Sequence, residues 1–241
     1  MRIFDTLLGR TKPVRANLDA LFALPSAAVT LQVSAGLVST GKAGVCFKPP
    51  SGQNFTDMQT ELEKLLELGD PAGGDATSAA PSTASADSAP SAGGASTVAP
   101  TGGTAPASPA HSLMVRHVGD RFGYRWILVE GGEIDDLVTR VHMVHSSLED
   151  AGWSPQLLCS VFGFAPTGTP DDTPGDGSVA ITQPIFLVYL AKQGTFYPFA
   201  PQGNEQRDTE LELRVRSILG TDLPIETDLS RWFPIWDLPV A

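Results

Sequence analysis

The stretch "PIFLVYLAKQGTFYPFAP", residues 184–201, decides the fold. "PIFLVYL" is a nearly continuous apolar run, the composition of a strand buried on both faces. "KQG" turns the chain back into "TFYPF". Proline has no N–H to give a ladder, so Pro198 places this second strand at a sheet edge or breaks it there. Side chains alternate along a strand, so Phe196 and Pro198 point one way and Tyr197 and Phe199 the other. One face covers the core and the other is available to a partner. That register predicts Phe196 well buried and Tyr197 more accessible.

Working outward, "QLLCSVFGF" is a further strand, and "LMVRHVG" and "YRWILVE" flank the turn "DRFG" as a hairpin. "IDDLVTRVHMVHSSLEDAG" is the strongest helix. Ile134, Leu137, Val138, Val141, His145 and Leu148 form one stripe, and Gly152 ends it. "NEQRDTELELRVRSILG" reads as a last helix with Leu211, Val215, Ile218 and Leu219 inward and the pairs Glu210–Arg214 and Glu212–Arg216 outside. Nearer the start, "IFDTLLGR" reads as a short helical piece. "NLDALFAL" is a helix with Asn17 as N-cap, Leu18, Leu21 and Phe22 on one face, and Pro25 just past its end. "AAVTLQV" and "AGVCFKP" read as a hairpin whose long loop is "SAGLVSTGK", and "FTDMQTELEKLLEL" as an amphipathic helix. Each half is then a hairpin feeding a helix, which suggests an internal repeat.

Hairpins joined by helices predict an α+β fold, a mainly antiparallel sheet with helices packed on one side. Residues 69–112 interrupt it. They hold one large aliphatic residue, Val98, and no Lys or Arg. With almost nothing to bury, such a segment cannot offset the entropy of ordering, so it is expected to be a disordered tether. The parts 1–68 and 113–241 are expected to pack together as one domain.

The net charge of −11 argues against a nucleic-acid binder, which needs clustered cations. Cys46 and Cys159 lie in separate apolar runs without neighbouring ligands at metal spacing, and read as small buried side chains in a reducing compartment. The N-terminus lacks a secretory h-region, and the expected location is cytoplasmic.

No catalytic, cofactor-binding or metal-ligating set emerges. His142, His145 and Glu149 share a helix, but not at the spacing of the helical zinc motif, and His145 falls within the apolar stripe as a core histidine would. The acidic loop "DDTPGDGS" has proline and glutamine where calcium ligands belong. The aromatic residues remain. Tyr197, Phe199, Trp232, Phe233 and Trp236 are the candidate partner-binding set, since such rings dominate interfaces. The alternative is that the tail "DLSRWFPIWDLPV" packs back over a sheet face as a belt. At the other terminus, Phe4, Leu7, Leu8, Arg10 and Lys12 form a small apolar face flanked by cations, a candidate membrane-surface contact. In the competing reading Phe4 and Leu8 dock on the body.

Together, "NLDALFALPSAA", "SSLEDAGWSPQLLCSVFGF", "LVYLAKQGTFYPFAPQ", "RDTELELRVRSIL" and "DLSRWFPIW" resemble the actinobacterial PspA-associated proteins of the PspAB type. The chain departs from that pattern in the length of its tether and in the loop "TPDDTPGDGS". The resemblance implies an accessory protein of the phage-shock envelope-stress system, encoded beside the membrane-remodelling coat protein PspA, and carries over no catalytic residues. The expectation is a non-enzymatic adaptor that binds PspA at the cytoplasmic face of the membrane, with peripheral membrane contact. A secretion-chaperone-like binding module is an alternative by analogy of element order. A hydrolase using the acidic loop, or His117, His142 and His145 beside a carboxylate, is another.

Overall fold

The computed structural model describes residues 17–48, 114–167 and 181–241. The segment 1–16, the helix expected at 55–68, the tether 69–112 and the acidic loop 169–178 lie outside the described residues. Six strands form one antiparallel sheet: β1 (Leu37–Phe47), β2 (Met114–Gly119), β3 (Arg125–Glu130), β4 (Leu157–Pro166), β5 (Ile185–Leu190) and β6 (Thr195–Phe199). Their order is β2-β3-β1-β4-β5-β6, so β1 pairs with β3 on one side and β4 on the other. Among the described residues three α-helices pack with it: α1 (Leu24–Ala35), α2 (Ile134–Asp150) and α3 (Thr209–Leu219). The α+β class and the antiparallel sheet stand as read from the sequence.

The pleat divides the interior. Val45, Ile127, Phe162, Phe164, Leu187 and Phe196 face the helices, meeting Leu31 of α1, Val141 of α2 and Val215 of α3 in one core. The alternate positions, among them Trp126, Leu128, Val161, Val188, Tyr197 and Phe199, form a second core with Trp232, Leu238 and Val240 from the C-terminal tail. β5 is buried at every position, as its unbroken apolar composition requires. At Gly44 a Cβ would come within 3.0 Å of Val240 and 3.1 Å of Leu128, so the tail seats on β1 because that position has no side chain.

Helix α2 follows its stripe. Asp136 Oδ2 accepts the Glu133 N–H at its start. At its end Trp153 N–H reaches Leu148 O at 2.7 Å and Gly152 N–H reaches Glu149 O at 2.9 Å, with Gly152 at φ 81°.

The N-terminal reading needs correction. Residues 27–33, expected as a strand, belong to α1, and the expected loop 34–42 supplies the last turn of α1 and much of β1. No first hairpin exists among the described residues, and the suggested repeat goes with it. Pro25 begins α1 rather than ending a helix, because a first-turn position has no use for an N–H. Before it, Leu18–Ala23 is a 3₁₀ turn with Leu21 buried and Phe22 exposed.

The last helix is also shorter than expected. Residues 201–207 form a small hairpin, β7 (Pro201–Gln202) with β8 (Gln206–Arg207), turning through Asn204 and Glu205 at positive φ. α3 starts only after Asp208, whose carboxylate accepts the Leu211 N–H at 2.9 Å.

Candidate partner-binding surface

The aromatic set of the C-terminal third divides into sealed and open members. Tyr197 is 1 % exposed, Phe199 0 % and Trp232 5 %, whereas Phe233 is 58 % exposed and Trp236 half-buried. The expectation that Tyr197 is accessible is therefore overturned: Phe196 and Tyr197 are both buried, on opposite faces, because the tail covers the face left over. Trp232 stacks on Tyr197 with ring centroids 5.8 Å apart, and Trp236 meets Phe199 edge-on at 5.5 Å. Tyr197 Oη donates to Phe233 O at 2.7 Å, and Trp232 Nε1 to Glu226 O at 3.0 Å.

The free edge of β6 is likewise occupied. Phe196 N–H donates to Pro224 O and Phe196 O accepts from Glu226 N–H, each at 2.8 Å. Two residues on, where the next outward N–H would stand, is Pro198. Two further, Ala200 N–H donates to Glu212 Oε1 at 3.0 Å and Ala200 O accepts from Asp208 N–H at 2.8 Å. A partner strand cannot add at these positions, so recognition by strand addition is closed here.

Glu212 corrects another expectation. It is 1 % exposed and does not sit outside beside Arg216. Its carboxylate takes Arg207 Nε at 2.9 Å on both oxygens, with Nη2 2.7 Å from Oε2. Arg207 Nη1 in turn donates to Trp232 O at 2.6 Å. This pair ties the β7–β8 hairpin, α3, the end of β6 and the tail together.

The histidines go to separate duties. His145 is fully buried, with Nε2 2.6 Å from Ser160 Oγ and its ring edge-on to Tyr189 at 6.2 Å. His142 lies against the Phe22 ring at 5.1 Å. Among the described residues no three His, Cys, Asp or Glu side chains are grouped to hold a metal.

Burial, and secondarily the charge of His142, lowers His145 from its usual 6.5 to about 4. A histidine whose folded value is depressed binds its proton later than in the unfolded chain. Its contribution to stability is therefore intact above pH 6.5 and falls away as pH drops towards about 4. The loss amounts to about 3 kcal/mol, at roughly 1.4 kcal/mol per pH unit. Urea unfolding across this window should show it, and His145→Gln should flatten the difference.

Further uncovered apolar side chains lie elsewhere, on α1 and the turn before it. Residues 18–35 have a mean hydropathy of 1.4 with Asp19 as the sole charge, and only 22 % of the run is buried. By length and composition alone the run passes for a membrane span. Leu21, Leu24, Ala27 and Leu31 nevertheless are sealed in the core. The opposite side carries Phe22 at 53 % exposure, Val29 at 61 % and Val33 at 81 %. Beside it a groove of about 530 Å³ is lined by Val29, Val38 and Ile134 together with the polar Ser26, Gln32, Ser39, Glu133 and Asp135. The sequence held the signal for this face. A helix that carries Val29 and Val33 opposite its buried stripe leaves those side chains unpaired when it packs on a sheet; reading 27–33 as a strand concealed it.

The candidate membrane residues Phe4, Leu7, Leu8, Arg10 and Lys12 lie outside the described residues. The family model for PspA associated protein B, PspAB, matches residues 1–83 and 106–240, omitting only the middle of the tether and the last residue. Neither a curated protein nor a solved structure is similar enough to the chain to count as a match. With nearly its whole length matched on both sides of residues 84–105, the chain belongs to the PspAB family, the PspA-associated proteins B.

Proposed function

We propose that this protein is a non-enzymatic accessory factor of the envelope-stress response that binds PspA at the cytoplasmic face of the membrane, using the uncovered face of α1. The carrying observation is that Phe22, Val29 and Val33 stand exposed on one side of a helical run whose other side, Leu21, Leu24, Ala27 and Leu31, is sealed in the core. Exposed apolar side chains on one helix face mark interaction sites, and Val29 and Val33, one turn apart, offer the spacing that a partner helix meets in groove-type recognition. Membership in a PspA-associated family names the partner to test first. Phe233, exposed on the opposite side of the sheet, is the open remainder of the aromatic set and the natural comparison.

The test is capture of purified PspA by the full chain. Val29→Lys with Val33→Lys places charge on the face while keeping good helix formers, with cations towards the helix C-terminus. This double variant should weaken capture about tenfold or more and leave the melting temperature within a degree or two of the parent. Phe233→Ala should bind as the parent does. If Phe233→Ala abolishes capture and the lysines do not, the tail is the docking surface. If the parent chain captures no PspA, direct binding is wrong.

A further inference from the structure

The chain has two cysteines, far apart in sequence. The antiparallel register of β1 and β4 sets them directly opposite each other, Cys46 against Cys159. Opposed residues on antiparallel strands have Cα atoms about 4.5–5.5 Å apart and side chains on one face. A disulfide spans Cα separations of about 4.4–6.8 Å. Both thiols are free. The ladder shifts register immediately beyond Cys46, between Cys46 and Phe47, so the backbone at the pair is not held by a regular run on both sides.

The pair is not sealed in. Cys46 and Cys159 line a cavity of about 440 Å³ walled by Leu158, Tyr197, Phe233 and Ile235, with Lys192 and Arg231 also along its lining. Phe233 is the exposed ring of the tail, so the cavity opens where that ring stands. Its walls favour an apolar visitor over a hydrated one.

We propose that Cys46 and Cys159 are a peroxide-reactive dithiol, reached through this cavity by an organic hydroperoxide, ROOH. Cys159 Sγ attacks the terminal peroxide oxygen and the O–O bond breaks. The thiol proton leaves with the alcohol ROH, and Cys159 becomes a sulfenic acid. Cys46 Sγ then attacks Cys159 Sγ, and the hydroxyl departs with the Cys46 proton as water. Two thiols lose two electrons and two protons to form one disulfide, and the hydroperoxide is reduced to alcohol and water. Cys159 is the first nucleophile because it is the more exposed of the pair, 7 % against 4 % for Cys46. The product bridges the two middle strands of the sheet.

The experiment uses the reduced full chain, with one cysteine variant beside it. Cumene hydroperoxide and hydrogen peroxide are compared at equal concentration, each rate divided by that of the same peroxide with free cysteine. Thiols are titrated after denaturation, and the intact mass is measured. Both thiols should disappear together, the mass should fall by two hydrogens, and the chain should stay monomeric on a non-reducing gel. The organic hydroperoxide should react about tenfold faster after normalisation, the gain expected from burying its apolar group. Cys46→Ala should halt at a sulfenic acid on Cys159 that dimedone traps. Thiols that survive until the chain unfolds, bridges only between chains, or equal normalised rates would each overturn the proposal.

Discussion

Glu212→Ala is expected to lower the unfolding free energy by about 3–5 kcal/mol, read from urea midpoints at neutral pH. Two losses add. Arg207, whose side chain is only 23 % exposed, keeps its charge without a counter-ion. Ala200 N–H loses its acceptor inside the protein, which alone costs about 1–3 kcal/mol. Glu212→Gln separates the two, because an amide oxygen still serves Ala200 while the ion pair is gone; it should fall between parent and alanine. Arg207→Met with Glu212→Leu should recover much of the deficit, since a buried pair replaced on both sides by apolar groups leaves no orphaned charge. Recovery will be incomplete: Arg207 also donates to Trp232 O and lies 5.5 Å over the Phe199 ring. A double variant as unstable as the sum of its singles would show that the two residues do not act as a pair.

This pair also shows where sequence reasoning stopped. Glu212 and Arg216 sit one helical turn apart, and a helix wheel joins them on the outside. Nothing local announces that Arg207, five residues earlier, turns back in a hairpin to take the carboxylate inward. The same limit applies to the thiols: Cys46 and Cys159 each read as a small buried side chain, and only the register between β1 and β4 makes them neighbours. Where the pattern is local, the reading held. Residues 157–166 and 185–199 were legible because long apolar runs alternate with turn residues, and Pro198 marked an edge that the structure confirms. α2 was legible through its stripe and its glycine stop. α1 was not, since seven residues rich in small and β-branched side chains fit either period. Pro25 was taken for a terminator in a place where it is an initiator. That one misreading hid the uncovered face of α1 and left the tail as the evident candidate for docking.

Trp232→Ala decides what the tail is for. As a seal, Trp232 is 5 % exposed, stacked on Tyr197, donating Nε1–H to Glu226 O and accepting from Arg207 at its own carbonyl. Truncation should then cost about 3–5 kcal/mol, the usual range for a large buried ring. The damage should be local before it is global. Residues 224–241 close both the second core and the outer edge of β6, so loosening them exposes Tyr197 and frees the Phe196 N–H and C=O. Limited trypsin digestion should therefore cut after Arg231 much faster in Trp232→Ala than in the parent, and near-UV dichroism should lose the stacked-ring signal. Trp232→Phe keeps most of the apolar area but leaves Glu226 O without its donor, and should cost about 1–3 kcal/mol. A tail whose rings exist to meet a partner would respond differently. Its removal would barely move the unfolding midpoint and would abolish PspA capture, whereas a sealing tail loses stability first and binding only as far as the fold is lost.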